Sequence, residues 1–167
     1  MLIRQLTPDD EPFLWDALYP AIHIPPGHAP PSKTIVQQPE LARYVDGWMR
    51  SPHNLGVAVE VNNQEAGAAW LRYWKEIDKG YGYVNDETPE LSMALLPGYR
   101  GQGLGTKLLH GLLSLAESRF DAVSLSVSET NPARRLYVRE GFETCGDPIE
   151  GAVTMIHKFK YSTSAGP

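Results

Sequence analysis

The stretch Pro97-Gly98-Tyr99-Arg100-Gly101-Gln102-Gly103-Leu104-Gly105-Thr106 confines what this chain can fold into more than any other part of it. The residues before it, 90–96, are a short apolar-rich run without Gly or Pro, which predicts a strand. After it, Leu104, Leu108, Leu112 and Leu115 recur at helical spacing, with Lys107, Ser114, Glu117 and Arg119 left for the wet face. The local order is therefore strand, glycine loop, helix. Such a loop sets backbone amides at the positive end of a helix dipole, where they can converge on a phosphate. Gly101, Gly103 and Gly105 permit close backbone approach and positive φ, and Arg100 adds a bidentate donor. This arrangement nominates a nucleotide-bearing cofactor; a Gly-rich helix start with no ligand is the alternative.

Two familiar phosphate loops do not fit. The dinucleotide fingerprint G-x-G-x-x-G requires glycine where Thr106 stands, and a Walker A loop requires Lys then Ser or Thr where Leu104 stands. A second patterned segment lies downstream. Residues 122–128 alternate Val123, Leu125 and Val127 with serines, as a half-buried strand does. Asn131-Pro132-Ala133-Arg134-Arg135-Leu136-Tyr137-Val138-Arg139-Glu140-Gly141-Phe142 then predicts a short helix capped by Asn131, with Pro132 in its first turn and Gly141 as its stop.

Arg100-Gly101-Gln102-Gly103-Leu104-Gly105 resembles the Arg/Gln-x-x-Gly-x-Gly/Ala loop of the GCN5-related N-acetyltransferases. The row from Asn131 to Phe142 is similar to that family's Asn-x-x-Ala-x-x-Leu-Tyr-x-x-x-Gly-Phe signature. Both occur in the family's order and at its usual separation. The resemblance implies an α/β fold with a mixed central sheet and helices on both faces. It also implies acetyl-coenzyme A as cosubstrate, its pyrophosphate held by Arg100, Gly101, Gln102, Gly103, Leu104, Gly105 and Thr106. In motif it covers residues 90–142; residues 1–89 agree only in the order of elements.

The implied reaction is acetyl transfer to a primary amine of a small molecule or peptide, by direct attack in a ternary complex. An alkylamine with a pKa near ~10.4 is protonated at pH 7, so a base is required. Several family members carry a general-base glutamate where Glu90 stands; Asp86, Glu87 and Glu129 are weaker substitutes, and an exposed strand-end carboxylate is the alternative. The resemblance assigns protonation of the leaving thiolate to Tyr137. A phenol near ~10 donating to a thiolate near ~8.5 is uphill by roughly 2 kcal/mol, so Tyr137 contributes without being absolute. Its alternative role is packing. The backbone N–H of Leu95 is implied as the oxyanion donor at a bulge, and Asn131 either contacts the pantetheine arm or only caps its helix.

The remaining chain bounds these readings. At 167 residues and 42% apolar content, one compact domain over residues 1–161 is expected, with a frayed tail at 162–167. The net charge of −5 argues against a nucleic-acid or anionic-membrane surface and leaves a homodimer open. A lone Cys145, a start without an apolar leader and the lack of a membrane-length apolar run make the cytoplasm the expected compartment. The five histidines lack metal-ligand spacing. Cys145 reads as a small core residue. Trp70, Tyr73, Trp74, Tyr81 and Tyr83 read as packing, with some available to line a pocket.

Further elements are expected as a strand at 2–6, a helix to about residue 18, and a Pro-rich loop over 19–39 that is either an acceptor-side cover or a merely variable connection. A second helix over 40–49, a hairpin of 55–61 with 65–75, a loop over 77–89, and strands at 142–145 and 152–159 complete the reading. Two rival functions stand beside this one. A non-catalytic acyl-coenzyme A binding module would keep the cradle without acid and base. A dinucleotide oxidoreductase would welcome Asp121 about 20 residues after Gly101, but lacks its fingerprint glycine.

Overall fold

The computed structural model describes residues 1–160; the tail expected at 162–167 lies outside the described residues. Seven strands run β1 Leu2–Gln5, β2 Leu55–Val61, β3 Gln64–Arg72, β4 Glu90–Leu95, β5 Ala122–Ser128, β6 Glu143–Ile149 and β7 Ala152–Lys158. They form one mixed sheet in the order β1-β2-β3-β4-β5-β7-β6. Its β4–β5 pair is parallel, while β1–β2, β2–β3, β5–β7 and β6–β7 are antiparallel. The helices are α1 Glu11–Ala21, α2 Pro39–Ala42, α3 Leu104–Ala116 and α4 Ala133–Arg139. The mixed α/β sheet expected from the sequence is present.

The chain divides into two compact units. The first comprises Met1–Arg72 with Leu91–Leu112. Here the hairpin turns through Asn62 and Asn63 at φ of 52° and 61°; two successive left-handed residues make the tight turn that matches strand twist. Helix α3 lies close on the strands, for a Cβ on Gly111 would stand 3.2 Å from Ile3 Cγ2. Arg4 gathers the start of the fold, its guanidinium bonding Asp10 at 2.8 Å and Glu60 at 2.6 Å. Asp10 also accepts from the Thr7 amide at 2.7 Å, and its carboxyl is held below the usual range chiefly by Arg4.

Two expectations in this unit fail. Helix α1 runs past residue 18 to Ala21 with Pro20 inside it; a proline in the last turn still keeps its helical φ, and its missing N–H costs one bond only. The second helix stops after four residues. Gly47 at φ 71° and Met49 at φ 57° turn the backbone left-handed. The apolar residues of that segment, Tyr44, Val45 and Trp48, are still buried. Trp70 fastens them by donating its indole N–H to Tyr44 O at 2.9 Å, so tertiary burial takes the place of helical periodicity. The Pro-rich loop also carries a short 3-10 turn, Lys33–Gln37.

The second unit comprises Tyr73–Glu90 and the described chain from Leu113. Val123, Leu125, Val127, Phe142, Val153 and Met155 form its core. The expected alternation along β5 is incomplete, because Ser124 is buried as fully as its apolar neighbours. The cause is the segment after β3: Ser124 Oγ donates to Gly82 O at 2.6 Å. Cys145 is half-buried on β6, a mostly exposed strand at the end of the sheet order, and is not the core residue expected.

Candidate acyl-donor and catalytic site

The glycine loop connects β4 to α3. Gly98, Gly101 and Gly103 have φ of 93°, 73° and 77°. On each, the space where a Cβ would project is open to 4 Å, so backbone can meet a ligand directly. Lys107 N donates to Gly103 O at 3.4 Å, which makes Gly103 the residue before the first turn. The amides of Leu104 and Gly105 therefore precede the helix's first i→i−4 bond. A 13-residue helix backs them. This donor set fits a phosphate.

The side chains here serve the loop. Gln102 Nε2 donates to Gly98 O at 3.0 Å, and Arg100 Nη2 donates to Pro20 O at 3.1 Å, tying the loop to the end of α1. Leu104 is buried and anchors the helix start; Thr106 is half-buried in the first turn. Gly105 does not take the role expected of it. It lies within α3, buried, and is not among the glycines of positive φ. Gly98 takes that place in the loop.

Leu95 is the last residue of β4. The next amide, Leu96 N, donates to Ala66 O at 2.8 Å. Successive strand amides point to opposite edges, so the Leu95 N–H faces away from β3. On the opposite edge of β4, the register pairs Glu90 with Ser124.

Beside the loop, within the first unit, is a cavity of about 810 Å³. Trp15, Asp16 and Tyr19 of α1 form one wall, Lys33 and Val36 of the Pro-rich connection another, and Leu96, Pro97 and Tyr99 lead from it into the loop. The 19–39 segment is held down where Tyr19 Oη donates to Pro31 O at 2.6 Å.

The remaining candidates lie in the second unit. Glu90 is 3% exposed, and Trp74 Nε1 donates to its Oε1 at 3.0 Å. It is no exposed strand-end carboxylate. Of its expected substitutes, Asp86 accepts from Tyr83 Oη and from the Glu76 amide, while Glu87 and Glu129 are exposed. Tyr137 is buried edge-on to Phe142, centroids 5.7 Å apart. Burial alone pushes its phenol up to about 12. Asn131 Oδ1 accepts from Ala133 N at 2.9 Å, capping α4. That helix ends as the sequence predicts, with Gly141 at φ 93° and Phe142 N bonding back to Tyr137 O at 2.9 Å. Among the described residues no His, Cys, Asp and Glu cluster suits a metal ion, and no helix is long and apolar enough to cross a membrane.

Of the aromatic group, Trp70 is core, Tyr73 stacks on Phe120, Tyr83 is tied to Asp86 and Tyr81 is exposed. Sequence reasoning missed the Trp74–Glu90 pair and the α1 cavity. A tryptophan in an aromatic-rich stretch was visible, but nothing local announced its partner.

A glycine-rich amide cradle between a strand of a mixed sheet and a long helix is suited to a phosphate-bearing ligand. Residues 15–142 match the Acetyltransferase (GNAT) family model, and the chain belongs to that family. Its members use acetyl-coenzyme A as cosubstrate. Among solved structures, it is similar to the ribosomal-protein-S18-alanine N-acetyltransferase from Escherichia coli, at 20% identity and a TM-score of 0.65 over 99% of this chain and 98% of that one. It is similar also to the paia N-acetyltransferase from Thermoplasma acidophilum in complex with coenzyme A, at 16% identity and 0.66, covering 95% and 100%. A third is yncA, a putative acetyltransferase from Salmonella typhimurium with its cofactor acetyl-CoA, at 20% and 0.65, covering 98% and 96%. At these identities the likeness is one of fold. No curated protein sequence matches.

Proposed function

We propose that this chain is an acetyl-coenzyme A-dependent N-acetyltransferase acting on a primary amine of a small molecule or peptide. The observation that carries the reading is the cradle, with positive-φ glycines open on their Cβ side at the start of α3. Its donors from Gly101 to Thr106 suit a pyrophosphate, and Arg100 has guanidinium nitrogens beyond the one that bonds Pro20. The bound cosubstrate supplies a thioester, the activated acyl group.

The protein's own groups then have separate tasks. The Leu95 N–H, facing away from β3, is suited to the oxygen that gains charge. Glu90 accepts the amine's proton, through a water relay because of its burial. Tyr137 donates toward the departing sulfur, and Asn131 orients the pantetheine arm with the part of its amide not spent on capping. The cavity beside the loop receives the acceptor. Its aromatic walls suit an apolar body, and the Asp16 carboxylate suits a protonated amine.

The burial of Glu90 is the observation that favours a second reading, a binding module in which this carboxylate is structural. Thiol release separates the two. Acetyl-coenzyme A should yield free coenzyme A thiol in the presence of at least one of spermidine, kanamycin, lysine or an alanine-initiated peptide, with the acetylated amine as co-product. Tight acetyl-coenzyme A binding with no thiol release above hydrolysis across these amines would favour the binding module.

A further inference from the structure

The packing around Glu90 leaves little space, as two glycines of the segment before it show. After β3 the chain runs from Trp74 outward and returns at Glu90, and the returning segment seats on β5. A Cβ on Gly82 would stand 2.6 Å from the Leu125 carbonyl carbon, 2.7 Å from Ser126 N and 3.0 Å from Glu90 Cδ. A Cβ on Gly80 would strike Glu90 Oε1 and come within 2.6 Å of Trp74 Nε1. Neither glycine is among those of positive φ. Space, and not backbone conformation, demands them. The segment is pinned at its base, where Asp86 takes the Tyr83 hydroxyl and the Glu76 amide together.

A buried carboxylate is costly unless hydrogen-bonded, and one held by an indole is held in a particular way. The Trp74 N–H fixes the direction of Oε1 at 3.0 Å, but an indole carries no charge. What this bond contributes is direction, not charge compensation. Gly80 lies against both members of the pair, where any larger residue would displace one of them.

We propose that Trp74 is the positioning residue of Glu90, holding its carboxylate in a fixed direction for proton transfer, with Gly80 closing the space behind the pair. The proposal rests on the reading of Glu90 as the proton acceptor. No part of it requires Trp74 to touch the substrate.

A double-mutant cycle on the full chain tests it, using whichever of the four amines releases thiol fastest. Trp74→Phe should lower kcat by about 10-fold, the worth of a hydrogen bond to a charged group, with the KM for acetyl-coenzyme A unchanged. Glu90→Gln should lower kcat by about 10²-fold or more. The double variant should be no slower than Glu90→Gln, since Trp74 then has no base to position. If Trp74→Phe slows the Glu90→Gln protein by the same factor as the wild type, Trp74 acts by packing and the proposal falls. A wild-type kcat in Trp74→Phe beside a slow Glu90→Gln removes Trp74 alone; a wild-type kcat in Glu90→Gln removes the base itself. Should the Phe variant not fold, benzothienylalanine at position 74, an isostere with sulfur in place of the N–H, carries the same cycle.

Discussion

Burial raises the Tyr137 phenol to about 12 with no charged or hydrogen-bonding neighbour contributing, and this changes what the residue can do. Complete transfer of its proton to a thiolate near 8.5 would be uphill by about 3.5 units, roughly 5 kcal/mol, against the roughly 2 kcal/mol that an ordinary phenol implies. Partial donation, a hydrogen bond that strengthens as the sulfur gains charge, is the affordable version. Tyr137→Phe should accordingly lower kcat by about 10²-fold with acetyl-coenzyme A affinity held within severalfold; unchanged turnover in the acetyl-transfer assay would leave Tyr137 as packing. Stability gives a second readout. The folded state binds this proton more tightly than the unfolded state, whose phenol titrates near ~10. Tyr137 therefore stabilises fully below pH ~10, and its contribution is lost as pH rises toward about 12. In urea titrations, the stability difference between wild type and Tyr137→Phe should shift against the wild type by about 2 to 3 kcal/mol across that window. A constant difference would mean that the phenol does not ionise there.

At the scale of elements, the loop between β4 and α3 concentrates the binding argument. Gly103 stands at φ 77° with open space on its Cβ side, so Gly103→Asp both strains the backbone and sets a carboxylate at the cradle's mouth. Acetyl-coenzyme A binding by calorimetry should be lost while the melting temperature falls only slightly; retained affinity would put the phosphates elsewhere. This element was legible in the sequence because its cause is local. Leucines at helical spacing, glycines before them and a run free of Gly and Pro act within a few residues of one another. The same holds for α4, whose cap and stop the sequence marks by Asn131 and Gly141. Residues 40–49 were illegible for the opposite reason. Their apolar spacing is helical, yet Trp70, far along the chain, claims Tyr44, and Gly47 and Met49 turn the backbone away. The surroundings of Glu90 were hidden in the same manner. Its position at a strand start could be read, but the closure of Trp74, Gly80 and Gly82 upon it arises only when the chain returns after β3.

At the scale of the whole molecule, a net charge of −5 gives no overall attraction for a polyphosphate. Attraction comes from the aligned amides and Arg100 at contact distance, where salt screens it least. Such a ligand, bound by the native backbone and by no unfolded chain, must stabilise the fold through mass action. At 100 times its dissociation constant, acetyl-coenzyme A should add about 2.7 kcal/mol. For a chain of this length each kcal/mol raises the melting temperature by about 2 to 4 °C, so the expected shift is roughly 5 to 10 °C. NAD supplies a pyrophosphate too, but the loop lacks the glycine of the dinucleotide fingerprint at Thr106, and the half-buried Thr106 lies in the first turn of α3. Calorimetric scans with each ligand at equal concentration should therefore shift with acetyl-coenzyme A and stay put with NAD. The reverse order would transfer the cradle to a dinucleotide. Equal shifts would mean that it grips any pyrophosphate, and that selection among cofactors lies outside the loop.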